Sequence, residues 1–208
     1  MDLAAMRTAV RLRANVPSTD GIWTTAFIDD AINEALVSIG LEHPWPWLEN
    51  VYEVAGDGTD TYDLTTADPP VRDIKTVHIG GYEGQKASTA DIDQWTTYQV
   101  ENPRFIWAVS NTDLLIKPEP VASQTIRVRY FADEPVLTDT TDEPVMPAVY
   151  HPAIVQRASS IGFESLDDQS SAAMHESRAR IFIDRMQATA LRRVRGPHSI
   201  RVRAGHQF

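Results

Sequence analysis

Two stretches of helical periodicity stand far apart in this 208-residue chain, and neither can bury its apolar stripe alone. In the first, Ile28, Ala31, Ile32, Ala35, Leu36 and Ile39 form an unbroken stripe. Thr24 suits its N-cap, Gly40 falls near its end, and Pro44 and Pro46 forbid continuation. The second stretch begins near Pro152, a residue at home in a first helical turn. Ile154, Val155, Ala158, Ile161 and Leu166 supply its predicted buried face. Asp167 and Asp168 break and recap the chain. A long helix then carries Ala172, Ala179, Ile183, Met186 and Ala190, with Phe182 beside the stripe. A shorter amphipathic helix with Leu3, Met6 and Val10 stops before Pro17. One-sided stripes must pack on one another, so the two ends of the chain are predicted to close into a bundle.

Between these ends the period changes from helix to strand. Trp45 and Trp47, set among prolines, read as core aromatics. Val51 to Val54 is followed by the turn signal Gly56, Asp57, Gly58, then by Tyr62 to Leu64. Val77 and Ile79 alternate with polar neighbours. Asp91 to Trp95 suggests a short helix with Ile92 and Trp95 on one side. Residues 104–109 and 114–117 flank a hairpin turn at Ser110 to Asp113. Ile126, Val128 and Tyr130 alternate with Arg127, Arg129 and Phe131 in the cleanest strand pattern of the chain. Residues 133–147 are acidic and broken by prolines, which reads as the return connection. The predicted fold class is therefore α+β. It is a discontinuous helical bundle of about four helices, with an inserted small antiparallel β subdomain and an extended C-terminal arm. The expected division is 1–50 and 147–195 for the helical domain, 51–146 for the β subdomain with its acidic return loop, and 196–208 for the arm.

Charge is unevenly spread. Residues 1–184 hold 29 acids against 13 Lys/Arg, a net of −16, while residues 185–208 hold six arginines and no acid. Such a split predicts different partners for the body and the tail. A chain without cysteine has neither a disulfide framework nor a thiolate metal site, which fits a cytosolic assembly route. No run approaches the roughly 20 apolar residues that a bilayer requires, so no membrane partner is expected.

Signatures of catalysis are missing: no phosphate loop, no dinucleotide fingerprint, no nucleophile elbow and no paired-histidine zinc motif. The six histidines, at 43, 78, 151, 175, 198 and 206, are not paired at helical spacing. The position of His151 beside Pro152 needs no chemistry to explain it. Asp29-Asp30, Asp142-Glu143 and Asp167-Asp168 are adjacent acids, which point apart on a helix rather than sharing a proton. Catalytic residues, cofactors and metals are accordingly expected to be none. The acidic body would repel phosphates, so sequence-specific nucleic-acid binding is not expected. In the tail, Arg192, Arg193, Arg195, Ile200, Arg201, Val202 and Arg203 combine cationic charge with strand-like alternation. An arm of this kind can add to an exposed sheet edge, with its arginines pairing carboxylates there.

Taken in order, several pieces resemble the head-to-tail adaptor (connector) proteins of tailed phages and related gene-transfer particles. They are Leu3-Ala4-Ala5-Met6-Arg7, Trp23-Thr24 opening Phe27-Ile28-Asp29-Asp30-Ala31-Ile32-Asn33-Glu34-Ala35, and His43-Pro44-Trp45-Pro46-Trp47. Leu115-Ile116-Lys117-Pro118-Glu119-Pro120, Ile126-Arg127-Val128-Arg129-Tyr130 and Pro144-Val145-Met146-Pro147-Ala148-Val149-Tyr150-His151 follow. The resemblance implies a structural protein of the virion neck and no enzymatic activity. It implies a self-assembled ring, typically of twelve subunits, beneath the portal protein. A stopper or tail protein would bind below, and DNA would pass through the lumen. It also implies that the C-terminal arm binds the portal or a neighbouring subunit. The alternatives are a tail-terminator or stopper ring, and a packaging-associated hydrolase that would use Asp167 and Asp168.

Overall fold

A computed structural model describes residues 1–17, 19–95 and 104–194, with side chains to Ala190. The chain is α+β and divides into two compact units, one of residues 1–43 with those from 137 onward, the other of residues 44–136.

The first unit is helical. Helix α1, Leu3–Ala14, is capped by Asp2, whose carboxylate accepts from the Ala5 N–H at 2.8 Å. It ends at Asn15, which takes the left-handed conformation (φ 55°) and returns its N–H to Arg11 and Leu12. Helix α2, Thr25–Glu42, is capped by Thr24 as expected and buries the whole predicted stripe from Ile28 to Ile39. Helix α3 (Thr89–Asp93) belongs to the second unit, and α4 (His151–Glu164) and α5 (Gln169–Val194) complete the first. Helix α4 is central, packing on α1, α2 and α5. The N- and C-terminal stripes therefore do close on each other. Gly162 explains how α4 accommodates Trp23: a Cβ there would lie 2.4 Å from the indole ring. Trp23 in turn meets Phe27 and Phe163 edge-on, at centroid distances of 5.4 and 5.2 Å.

Asp167 and Asp168 break the chain as expected. Asp167 adopts φ 60°, and Asp168 accepts from the Ser171 N–H at the start of α5. One expectation needs correction. Leu166 is exposed and does not join the buried face, because α4 stops at Glu164 and Leu166 falls in the turn before Asp167. Ile161 is only half-buried. Helix α5 buries Ala172, Ala179, Ile183, Met186 and Ala190, the predicted stripe.

The second unit holds the strands and opens at a 3-10 turn, Pro46–Leu48. The strands are β1 (Glu49–Ala55), β2 (Thr61–Asp63), β3 (Val71–Ile79), β4 (Tyr82–Glu83), β5 (Gln85–Lys86), β6 (Ile106–Ser110), β7 (Asp113–Lys117) and β8 (Thr125–Ala132). They form two four-stranded sheets rather than one, in the orders β1-β8-β3-β4 and β2-β7-β6-β5. All pairings are antiparallel except β5 with β6. The inner faces share a core of Tyr62, Leu64, Ile74, Val77, Ile79, Trp107, Leu114, Ile116, Ile126 and Val128, among others. The Gly56–Gly58 turn does not make a hairpin of β1 and β2. Its N–H groups bond to Gln124 and Pro120 instead, and β1 pairs with β8. The predicted β6–β7 hairpin is present, with Asn111 left-handed at its turn. Helix α3 opens with a Ser88–Asp91 capping box and buries Ile92 over β6. Trp45 is fully buried and stacks on Trp47, with ring centroids 4.8 Å apart.

Candidate functional site

The arm residues singled out by charge fall at the limit of the structure. Arg192 and Arg193 occupy the last turn of α5, beyond the residues whose side chains are described. Arg195, Ile200, Arg201, Val202 and Arg203 lie outside the described residues. The described surfaces that could receive a partner are therefore those of the two units, each taken by itself.

In the β unit, the outer face of the β1-β8-β3-β4 sheet is a cross-strand ladder of charge. Alternation along β8 sends Ile126, Val128 and Tyr130 inward and Arg127 and Arg129 outward. The register sets Arg127 opposite Glu53 of β1 and His78 of β3, and His78 opposite Glu83 of β4. Arg127 Nε donates to Glu53 at 2.6 Å, and Lys75 Nζ donates to Glu49 at 2.8 Å. Arg129 reaches Glu49 only at 3.8 Å. These are exposed pairs, so each contributes little to stability, typically about 0–1 kcal/mol. A shallow open cleft of about 740 Å³ overlies Lys75, His78, Arg127 and Arg129. Acids of the two outer strands, Glu49 and Glu53 of β1 and Glu83 of β4, flank the basic residues of β8 and β3 on this face, an arrangement suited to meeting a complementary charged strand or loop.

A second cavity of about 390 Å³, lined by Leu64, Val71, Ile74, Lys86 and Val109 among others, opens within the same unit. Arg72 and Asp73 also line it. Among the described residues, no cluster of three or more His, Cys, Asp or Glu could hold a metal ion.

The helical unit spends its titratable groups on structure. His151 and His175 are each 1% exposed. Nδ1 of His151 accepts from the Met1 nitrogen at 2.8 Å, so its Nε2–H donates to the Met146 carbonyl at 2.9 Å. Nδ1 of His175 lies 2.8 Å from Gln156 Oε1, an acceptor to which it donates. Burial lowers the pKa of both histidines. The charge at the Met1 nitrogen further lowers that of His151, and Arg178 and Arg13 that of His175. No sequence signal marked either group: Met1 stands 150 positions from His151, and Gln156 stands 19 positions from His175.

The adjacent acids likewise have local duties. Asp29 pairs bidentately with Arg7 at 2.5 and 2.7 Å. Asp142 accepts from the Asp139 and Thr138 N–H groups at 2.8 Å, and these bonds hold its pKa below the usual carboxylate value. Asp168 is lowered by its bonds to Ser171 and Ser170. None of these carboxylates is aligned with a second acid and a pocket, as a catalytic dyad requires.

What stands out is a pair of packed units whose polar groups are committed to caps, turns and ion-pair ladders, the make-up of a structural module. Residues 1–202 match the family model of the SU10 adaptor protein. The chain belongs to that family, in agreement with the phage adaptor resemblance of its sequence. No curated protein matches the chain. Among the described residues, no helix is long and apolar enough to cross a membrane.

Proposed function

We propose that this protein is a non-enzymatic head-to-tail adaptor that forms a ring, typically of twelve copies, between the capsid portal and the tail or its stopper. The observation that carries this reading is the family match over residues 1–202. The protein works by offering surfaces. Copies associate side by side, the upper face of the ring meets the portal, and the lower face receives a stopper or tail protein. DNA passes through the lumen without sequence-specific contact, and the acidic excess of residues 1–184 supports free passage. The arm bearing Arg192, Arg193, Arg195, Ile200, Arg201, Val202 and Arg203 binds the portal or the neighbouring subunit. The protein is assembled in the host cytoplasm and resides in the neck of the virion. A hydrolase role draws no support from Asp167 and Asp168, whose positions are explained by the α4–α5 turn and the α5 cap.

Crosslinking mass spectrometry on virions tests the placement. Links from this chain to the portal are expected. Links confined to tail-tube proteins would instead assign a tail-terminator or stopper.

A further inference from the structure

Strand β8 contains Thr125-Ile126-Arg127-Val128-Arg129, and the sequence beyond α5 contains Ser199-Ile200-Arg201-Val202-Arg203. The tetrapeptide Ile-Arg-Val-Arg thus occurs twice. Its first copy shows what such a segment satisfies. In β8, Ile126 and Val128 are fully buried, while Arg127 and Arg129 face out. Opposite them on β1 stand Val54, Glu53, Tyr52 and Val51 in register with Ile126, Arg127, Val128 and Arg129.

Among the described residues, strand β1 stands at the end of its sheet, with β8 on one side only. Its seven residues include no proline, glycine or lysine, and its register with β8 carries no bulge, so its only edge charges are Glu49 and Glu53, which a cationic strand would pair rather than avoid. Tyr52 and Val54 are only partly buried at the margin of the core. Glu49 and Glu53 form a negative column beside the positive column of Arg127 and Arg129. A further strand here would complete the alternation if it were positive outside and apolar inside.

We infer that residues 199–203 of one copy add as an antiparallel strand to the free edge of β1 in a second copy, in the register that β8 holds on the other edge. Ile200 then covers Val54, Val202 covers Tyr52, Arg201 meets Glu53, and Arg203 stands opposite Val51. Main-chain hydrogen bonds supply the affinity, and side-chain alternation fixes the register. The contact is heterologous: the donor surface and the acceptor surface differ, as closure of a ring requires. This inference rests on the side-by-side association of copies proposed above.

The chain has no cysteine, which permits a clean test. Two double variants place thiols opposite one another, Val51→Cys with Arg203→Cys and Ala55→Cys with Ser199→Cys. Each is assembled on the portal, oxidised and run on a non-reducing gel. Disulfide-linked multimers are expected from both pairs. Val51→Cys with Val202→Cys, whose side chains face opposite sides of the sheet, should stay largely uncrosslinked. A disulfide within one chain, equal linkage by the opposite-face pair, or unlinked chains in rings visible by electron microscopy would overturn strand addition while leaving the ring intact. Absence of rings from the unmodified protein would overturn both readings.

Discussion

The side-chain amide of Asn33 pairs in both directions with the backbone of Leu137, donating to its carbonyl at 3.1 Å and accepting from its N–H at 2.9 Å. This bidentate contact fixes the return connection against α2, across 104 residues of sequence. Replacing Asn33 by alanine strands both backbone groups at the start of that connection. A loss of about 1–3 kcal/mol in urea unfolding is expected, the usual cost of an unsatisfied pair. An unchanged midpoint would mean that water satisfies Leu137 equally well.

Acid sensitivity should come first from the helical unit. The pKa values of His151 and His175 are lowered from 6.5 in the folded state, chiefly by burial. The unfolded chain therefore binds protons that the folded chain does not, and stability is lost as pH falls below about 6.5 toward the folded values. The lowered carboxylates, Asp142 and Asp168 among them, lose their contribution only in the separate window below their unfolded value near 3.8. Thermal midpoints at pH 7.5 and 5.0 should differ, and the double variant His151→Gln, His175→Gln should flatten that slope. A wild-type midpoint independent of pH over this range would contradict the burial argument.

Gly162→Ala opposes two effects. Alanine gains about 1 kcal/mol of helix propensity, but its Cβ would lie 2.4 Å from the Trp23 ring, which is packed between Phe27 and Phe163. Overpacking of this kind typically costs about 1–3 kcal/mol, so the variant should unfold at lower denaturant. A stabilised Gly162→Ala protein would show that Trp23 can leave its site without cost.

The ion-pair network around Glu42 separates buried from exposed charge. Arg157 (side chain 19% exposed) meets Glu42 at 3.1 Å and Glu176 at 2.6 Å, whereas Arg180 (51% exposed) meets Glu42 and Asp184. Arg180→Ala should change stability by less than about 1 kcal/mol. Arg157→Ala should cost more, since it removes packing as well as charge. Equal effects in parallel denaturation curves would contradict this ordering.

The helices were legible because their signals are local. Thr24, the stripe from Ile28 to Ile39, and the Ala179-Ile183-Met186 face each declare a helix within a few turns. The same held for the β6–β7 hairpin and the alternation of β8. Sheet assignment was not legible. Pairing of Glu49 with Phe131 or Val54 with Ile126 depends on the closing of a long loop, and nothing beside Gly56 announces that its turn bonds to Gln124. Leu166 misled because it fits the period of α4, yet the helix stops at Glu164 and the chain turns toward the left-handed Asp167. Among candidate site residues, the cationic arm was visible as composition, while the β1 acids matter only through the register that sets them beside Arg127 and Arg129.

Deletion of residues 196–208 tests whether the arm serves assembly alone. The helical periodicity of the sequence does not extend into these residues, so the truncated protein should keep the circular dichroism and unfolding transition of the full chain. It should fail to assemble on the portal. A truncated protein that still completes infectious particles would contradict the role given to the arm.

The most direct measurement is single-particle electron microscopy of the purified full-length protein mixed with its portal. A ring of this chain stacked coaxially on the portal is predicted. Portal particles that remain bare at saturating concentrations of the protein would contradict the account.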